Sequence, residues 1–363
     1  VFDKNGKQYL DFYGGHAVIS IGHQHPHYVK KLKSQISKIG FYSNAVQNEL
    51  QFKLANKITE LSGLHEYQIF YSNSGAESIE NALKIASLET GKSKVICFEN
   101  SFHGRTSGAA SVTDMTKGHF PLFKSMTHSR IKINDKLALA KAISSNEHCA
   151  VILEPIQAWA GVYEMDPGFL QFTAELCKAN NVKLIVDEVQ CGFGRTGSFF
   201  AFQNAKIVPD IICTAKGMGN GFPVAATLFH SSIKPIKGTL GTTFGGNHLA
   251  MAASIAVCEV IQKEKLIENA LHVGQYLKML LQDLPYVKSV RGSGLLIGVE
   301  FEFEIKGLVK HLLHEHQIFC GTALNNKTLR ILPPLNISNL EADIFINKLK
   351  MAIQEIPSLT FAQ

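Results

Sequence analysis

The sequence lacks the features that mark membrane, secreted and nucleic-acid-binding proteins. None of its apolar runs approaches the roughly 20 residues of a membrane-spanning helix. Its seven cysteines form no CxxC pair and are odd in number, which indicates buried free thiols in a reducing, cytoplasmic compartment. Lysine and arginine are scattered and the net charge is only +6, so we expect no nucleic-acid partner and instead small anionic ligands.

Metal-ligand patterns are missing as well. Histidines cluster near residue 24 and again at His311, His314 and His316, but no carboxylate or cysteine stands beside them at ligand spacing. We therefore predict no metal site. The chain also begins without a methionine or a signal-like segment, inside what looks like a hairpin around Lys4-Asn5-Gly6, and we expect further residues before it.

What is present is the composition of an ordinary globular enzyme, 45% hydrophobic and 18% charged, with enough residues for two domains. From residue 68 to residue 214, apolar segments of strand length alternate with segments of helical periodicity. This alternation predicts an α/β fold with a mostly parallel sheet covered on both faces. Later residues mix strands and helices, so we predict a large domain over 40–249 and a smaller α+β domain from 1–39 and 250–363.

The most informative stretch is Asp210–Gly221, where a short apolar strand leads to Lys216 and a glycine-rich turn. Apolar surroundings disfavour the ammonium form, which lowers the pKa of a lysine and makes its amine nucleophilic. Lys216 is therefore a candidate for a Schiff base with a carbonyl ligand. Taken alone, the pattern also describes a surface lysine on a loop, so its interpretation depends on the surrounding motifs.

Two further motifs stand where a ligand would meet a parallel sheet. Asp187 ends an apolar strand, and a carboxylate at such a strand end can hold a positively charged ring nitrogen. Ser74 and Glu77 form a capping box on a helix whose free amides can hold a phosphate, and Gly75 allows close approach. The alternatives are an aspartate that caps a loop and a plain helix cap.

Three more segments carry candidate binding residues. Thr242 and Thr243 lie in a second glycine-rich turn and could donate to a phosphate. Phe102 follows a strand and could stack on a planar ring or belong to the core. Arg330 precedes a rigid Pro-Pro segment and could pair bidentately with a carboxylate or form a surface ion pair.

Together these motifs resemble one family. In order along the chain they read Ser-Gly-Ala-Glu, Phe-His-Gly-Arg-Thr, Glu-Pro-Ile-Gln, Asp-Glu-Val-Gln-Cys-Gly-Phe-Gly-Arg-Thr-Gly, Ala-Lys-Gly, Gly-Thr-Thr-Phe-Gly-Gly-Asn and Arg-Ile-Leu-Pro-Pro-Leu. In this order and spacing the chain is similar to the class III aminotransferases, and within them to the acetylornithine aminotransferase branch. The resemblance covers essentially the whole chain. It implies a pyridoxal-phosphate enzyme of fold type I, the aspartate aminotransferase-like fold, that acts as a homodimer.

The resemblance also implies a role for each candidate residue. Lys216 would form the Schiff base with pyridoxal phosphate and then carry the substrate proton, while Asp187 would keep the pyridine nitrogen protonated. The ring would lie between Val189 and Phe102, with Gln190 at its hydroxyl. The remaining contacts would come from Gly75 and Ala76 to the phosphate, Thr243 of the neighbouring subunit to the same phosphate, and Arg105, Arg330 and Thr242 to the substrate carboxylates.

Two positions bear on the substrate. Gly15 stands where the related ornithine aminotransferases carry a tyrosine that recognises a free α-amino group, so the glycine implies an N-acylated substrate. Trp159 departs from the family pattern, in which a glutamate pairs with the second substrate arginine. Arg330 would then lack that partner and stay open to carboxylates, and the acyl pocket would change shape.

The expected reaction is transfer of the terminal amine of an N-acylated ornithine to 2-oxoglutarate, which gives a semialdehyde and glutamate. N-acetylornithine is the first candidate, with a place in arginine biosynthesis. N-succinylornithine and another ω-amine such as 4-aminobutyrate are the alternatives. A racemase or aminomutase of the same fold, and a binding module without activity, are the remaining hypotheses.

Overall fold

The computed structural model of the chain describes residues 1–114 and 127–360, with residues 356–360 described by their backbone alone. In these ranges the strands are β1 (Leu10–Asp11), β2 (Tyr67–Ser72), β3 (Lys94–Phe98), β4 (His128–Ile131), β5 (His148–Leu153), β6 (Ile156–Gln157), β7 (Tyr163–Glu164), β8 (Lys183–Asp187), β9 (Ile211–Thr214), β10 (Ala225–His230), β11 (Val287–Ser293), β12 (Leu296–Phe301), β13 (Ile318–Phe319), β14 (Gly321–Thr322) and β15 (Thr328–Ile331).

Helices cover both faces of this framework. They are α1 (Gly14–Ala17), α2 (Pro26–Ile36), α3 (Glu49–Ser62), α4 (Gly75–Thr90), α5 (Ser107–Val112), α6 (Lys136–Ser144), α7 (Pro167–Ala179), α8 (His248–Lys263), α9 (Leu266–Gln282), α10 (Lys306–His314) and α11 (Asn339–Thr360). Local sequence explains their ends. The helix α4, for example, begins after the N-cap Ser74 and ends at Gly91, whose left-handed φ of 69° suits glycine.

The central sheet has the order β2-β10-β9-β8-β5-β3-β4 among the described residues. All neighbouring pairs from β9 to β4 run parallel, whereas β10 runs antiparallel to both β2 and β9. Every residue of β5 and β9 is buried, because helices lie on both faces of these strands. The predicted mostly parallel α/β sheet is confirmed, with β10 as an antiparallel insertion.

A second, antiparallel sheet is formed near the C-terminus, with the order β11-β12-β15-β14. The N-terminal segment joins this region, because β1 pairs in parallel with β13 through Leu10 and Ile318. The predicted hairpin around Lys4-Asn5-Gly6 is confirmed. Phe2 and Gln8 form its antiparallel bridge, and Val1 and Tyr9 exchange backbone hydrogen bonds at its open end. The division into domains at residues 40 and 249 remains a prediction.

The core is extensive and holds all seven cysteines, which are buried and free as predicted. One hydrophobic cluster runs from Phe12 through the central sheet to Ile353 in α11, so the N- and C-terminal segments pack onto a shared core. No helix in the described ranges is both long and apolar enough to span a bilayer.

Candidate active site

Four adjacent parallel strands each bring a titratable residue to one edge of the central sheet. Lys216 follows β9, Asp187 ends β8 and Glu154 follows β5. His103 lies in the loop after β3, the next strand of the sheet. All four side chains line one cavity of about 310 Å³. The carboxyl edge of a parallel sheet is where ligands of such folds bind.

Lys216 is held in an unusual backbone conformation at this edge. Its φ of 44° is left-handed, which is uncommon for a residue with a Cβ and costs free energy. Burial lowers the pKa of Lys216, and the nearby carboxylates of Asp187 and Glu154 partly oppose this shift. Desolvation of this kind favours the neutral amine, as the apolar strand before Lys216 predicts.

Asp187 is nearly enclosed, with 4% of its surface exposed. Its Oδ1 accepts a hydrogen bond from the Val189 amide at 2.9 Å, and its Oδ2 lies 2.8 Å from Nδ1 of His103. Because a carboxylate only accepts, Nδ1 of His103 carries the proton. The other ring nitrogen, Nε2, is buried without a hydrogen-bond partner in the described part of the chain. The aspartate is therefore fixed in place with its charge directed at the cavity.

Glu154 is also buried and accepts a hydrogen bond from the Phe102 amide at 2.9 Å. Burial raises the pKa of Glu154 to about 7, and the nearby carboxylate of Asp187 acts in the same direction. This contact positions the Phe102 ring at the cavity, 5.9 Å from the ring of Trp159.

The N-terminus of α4 forms another wall of the cavity. Ser74 Oγ accepts from the Glu77 amide at 3.3 Å, while Glu77 Oε2 accepts from the Asn73 amide at 2.8 Å. Gly75 and Ala76 line the cavity directly. A Cβ at Gly75 would lie 2.8 Å from Cγ1 of Val189, so only glycine fits between the helix and that side chain.

Trp159 lines the cavity, and Arg330 contacts it without lining the cavity itself. The guanidinium carbon lies 5.6 Å from the centroid of the indole ring, and Arg330 Nε donates to the Thr322 carbonyl at 2.7 Å. Within the described residues Arg330 has no carboxylate at ion-pair distance, and burial lowers its pKa. The arginine is thus buried, charged and held by an aromatic face instead of an anion.

The neighbouring α1 segment shows how positive this edge is. Burial lowers the pKa of His16, and the charges of Arg330, Lys216 and Arg105 lower it further. Arg105 itself is exposed. These cations create a region that attracts anionic substrates.

The same segment leaves space beside the site. A Cβ at Gly15 would meet no atom within 4 Å, which fits the room expected at this position. Gln190 lines the cavity and donates through Nε2 to the His16 carbonyl at 2.8 Å. Tyr13 contacts the His16 ring with its hydroxyl.

Thr242 and Thr243 lie outside the cavity wall. Thr242 Oγ1 accepts from the Gly245 amide at 3.0 Å and from Asn73, a residue of the wall, at 3.4 Å. Thr243 is exposed. Thr243 does not line the cavity of its own chain, so its predicted contact with the phosphate would require a second subunit.

Sequence reasoning gave no role to His103 or Glu154, although both belong to the motifs that it used. The signal was available, because Glu154 directly follows an apolar strand in the same way that Asp187 ends one. The sheet order that makes these strands neighbours is visible only in the fold.

Comparison with known proteins agrees with this geometry. A model of the family described as aminotransferase class-III matches residues 1–353. The chain belongs to the class III aminotransferases. The acetylornithine aminotransferase of Aquifex aeolicus is 40% identical over 360 residues, which cover 96% of this chain and 93% of that protein.

Solved structures of class III aminotransferases share the whole architecture. The acetylornithine aminotransferase of Elizabethkingia anophelis is 32% identical, with a TM-score of 0.83 over 98% of this chain and 91% of that one. The ornithine aminotransferase of Toxoplasma gondii, which has partial occupancy of PLP at its active site, is 32% identical, with a TM-score of 0.89 over 97% and 87% of the two chains. The predicted fold type I is confirmed.

Pyridoxal phosphate is the cofactor of this family, and the cavity fits it. Lys216 supplies an amine for the aldehyde, Asp187 a buried anion for the ring nitrogen, and the start of α4 free amides for the phosphate. The space that Gly75 keeps open lies between those amides and Val189.

Proposed function

We propose that this aminotransferase transfers the terminal amine of N-acetylornithine to 2-oxoglutarate, yielding the semialdehyde and glutamate in arginine biosynthesis. The single observation that carries this proposal is the convergence of Lys216, Asp187 and the start of α4 on one cavity beside a group of cations. Relatives named acetylornithine aminotransferase, such as the Aquifex aeolicus protein, support the choice of donor. A cytoplasmic location is part of the proposal.

Lys216 and Asp187 are proposed to carry the chemistry. Bound pyridoxal phosphate supplies an electron sink for the carbon next to the reacting amine. The desolvated Lys216 amine would accept the proton from that carbon and deliver it to the aldehyde-derived carbon of the cofactor before water releases the semialdehyde, and it would carry a proton the opposite way when 2-oxoglutarate reacts. Asp187, fixed by His103 and the Val189 amide, holds the pyridine nitrogen in its protonated form.

The other cofactor contacts follow from the shape of the cavity. The ring is proposed to lie between Val189 and Phe102, with Gln190 near its hydroxyl. The amides of Gly75 and Ala76 would hold the phosphate at the positive end of the α4 dipole.

Arg330 and Arg105 are proposed to bind the substrate carboxylates, with Thr242 close to them. Arg330 is ready for this role because Trp159 faces it without neutralising it. The open space at Gly15 would leave room for an acyl group. Trp159 would shape the acyl pocket from its place beside Arg330, and N-succinylornithine is the competing donor.

A homodimer is proposed to complete the site. Large apolar side chains are exposed on residues 39–52 and on the loop that carries Thr243. They are Ile39, Phe41, Tyr42, Val46 and Phe52 in the first segment and Phe244 in the loop. The Phe41 and Phe244 rings lie 5.4 Å apart, so the two elements form one patch. A second subunit would cover this patch and bring its Thr243 to the phosphate.

A steady-state assay of glutamate formation tests the proposal. N-acetylornithine, N-succinylornithine, ornithine and 4-aminobutyrate are compared as donors at one concentration of 2-oxoglutarate. We expect N-acetylornithine to give the highest kcat/KM. A higher value for another donor would contradict the substrate assignment, and conversion of a donor without 2-oxoglutarate would indicate an isomerase.

A further inference from the structure

Two histidines and a glutamate converge at the contact between α10 and α11. His311 lies in the last turn of α10, His316 lies just beyond its end, and Glu355 lies in α11. Both imidazoles direct Nε2 at the same carboxylate oxygen, Oε2 of Glu355, and the His316 distance is 3.1 Å. The ligand atoms of the three residues all lie within 4.8 Å of one another.

The prediction of no metal site rested on the lack of a carboxylate at ligand spacing beside these histidines in the sequence. The sequence shows no carboxylate at such spacing from His311 and His316, but the packing of α10 against α11 brings one from about 40 positions further along the chain. Two imidazoles and one carboxylate are a donor set that suits Zn²⁺, with bonds of roughly 2.0–2.2 Å. None of the three residues lines the cavity around Lys216.

The surroundings also suit an ion. The His311 and His316 side chains are mostly enclosed, with 14% and 9% of their surfaces exposed, while the Glu355 side chain is 44% exposed. Protein therefore fixes the imidazoles, and solvent reaches the carboxylate. The nearby Lys348 ammonium is engaged by the His316 carbonyl at 2.6 Å.

We propose that His311, His316 and Glu355 form a Zn²⁺ site that clamps α11 to α10. The ion would take the position between the two Nε2 atoms and the carboxylate, and Glu355 would move outward to make room. A water molecule would complete the tetrahedron on the exposed side. Because none of the three residues lines the cavity, we expect the clamp to act on the stability of the C-terminal region.

Titration of the chelator-treated holoenzyme with ZnCl₂, against a chromophoric zinc indicator, tests the proposal. We expect one equivalent to bind to the wild type and thermal unfolding to shift upward with added Zn²⁺. Loss of an outer-shell partner weakens metal sites by about 10–100-fold, so loss of a ligand in Glu355→Gln or His316→Ala should weaken binding by at least about 100-fold.

His314→Ala is the matched control, because His314 is exposed on the same helix and takes no part in the cluster. It should bind Zn²⁺ like the wild type. Glu355→Gln decides the matter if His316→Ala fails to fold, since residue 355 is half exposed. Equal Zn²⁺ binding by wild type and Glu355→Gln, or no binding by the wild type, would overturn the proposal.

Discussion

Trp159 is the residue at which this chain departs most from the family pattern, and its contact with Arg330 makes the departure testable. In Trp159→Glu the new carboxylate would lie beside the guanidinium and compete with substrate carboxylates. We expect the KM for 2-oxoglutarate to rise about tenfold, equivalent to ~1.4 kcal/mol, and the preference between acetyl and succinyl donors to change. Steady-state kinetics with both donors measures this.

Trp159→Phe is the control for that substitution. It keeps an aromatic face over Arg330 without adding charge, so its KM for 2-oxoglutarate should stay within about twofold of the wild type. Unchanged kinetics in Trp159→Glu would mean that Trp159 only fills space.

Glu188 is a buried carboxyl that predicts a pH dependence of stability. It accepts from the Ala201 and Phe202 amides at 3.0 and 2.8 Å, yet burial raises its pKa to about 8. The folded chain therefore binds a proton that the unfolded chain has released, and stability is lost as the pH rises from about 4.5 to about 8. The slope from one such group is at most ~1.4 kcal/mol per pH unit.

Urea unfolding of the holoenzyme at several pH values checks this expectation. Glu188→Gln removes the titration, so its free energy of unfolding should fall less steeply with pH than that of the wild type. If the free energy of unfolding depended on pH in the same way for both proteins between pH 5 and pH 8, the predicted titration of Glu188 would be contradicted.

At the scale of secondary structure, the contact between the start of α4 and Val189, which follows β8, depends on Gly75. A methyl group there would meet Cγ1 of Val189 at 2.8 Å and displace a side chain that borders the cofactor. Such overpacking costs ~1–3 kcal/mol, so Gly75→Ala should weaken pyridoxal-phosphate binding about 5- to 150-fold in an absorbance titration of the apoenzyme. Gly307→Ala is the control, because a Cβ at Gly307 meets no atom within 4 Å.

The elements themselves show how far sequence reasoning reaches. The predicted alternation of strands and helices over residues 68–214 is confirmed, and in the structure it runs from β2 to β9. The strand β10 was not predicted, because its alanines weaken the strand signal and its antiparallel place between β2 and β9 is a tertiary property. The hairpin predicted at the N-terminus is confirmed, but the pairing of the following strand β1 with a strand some 300 residues away could not be read from local sequence.

The candidate site divides in the same way. Lys216, Asp187 and Gly75 could be predicted because each stands at a strand end or a helix start, where local sequence determines the geometry. Two contacts could not be predicted, namely the pairing of His103 with Asp187 and the stacking of Arg330 on Trp159. Both depend on which strands become neighbours. The same is true of Glu355 beside His311 and His316.

At the scale of the whole molecule, the exposed apolar patch predicts the assembly. Phe244 is 61% exposed and Phe41 is 42% exposed, so both rings would be covered by a second subunit. Phe244→Asp should shift the protein from dimer to monomer in sedimentation velocity and lower kcat more than about tenfold, because a charge buried in an interface costs several kcal/mol. Leu137→Asp, at an 85% exposed position of α6, should change neither property.

The most direct test is the absorbance spectrum of the purified enzyme during its two half-reactions. N-acetylornithine alone should remove the visible band of the bound cofactor, and 2-oxoglutarate added afterwards should restore it with one equivalent of glutamate. Lys216→Ala should keep its fold and show no such cycle, with turnover reduced at least about 1,000-fold, within the range of general acid–base catalysis. A wild-type band that N-acetylornithine leaves unchanged, or near-normal turnover in Lys216→Ala, would contradict the account.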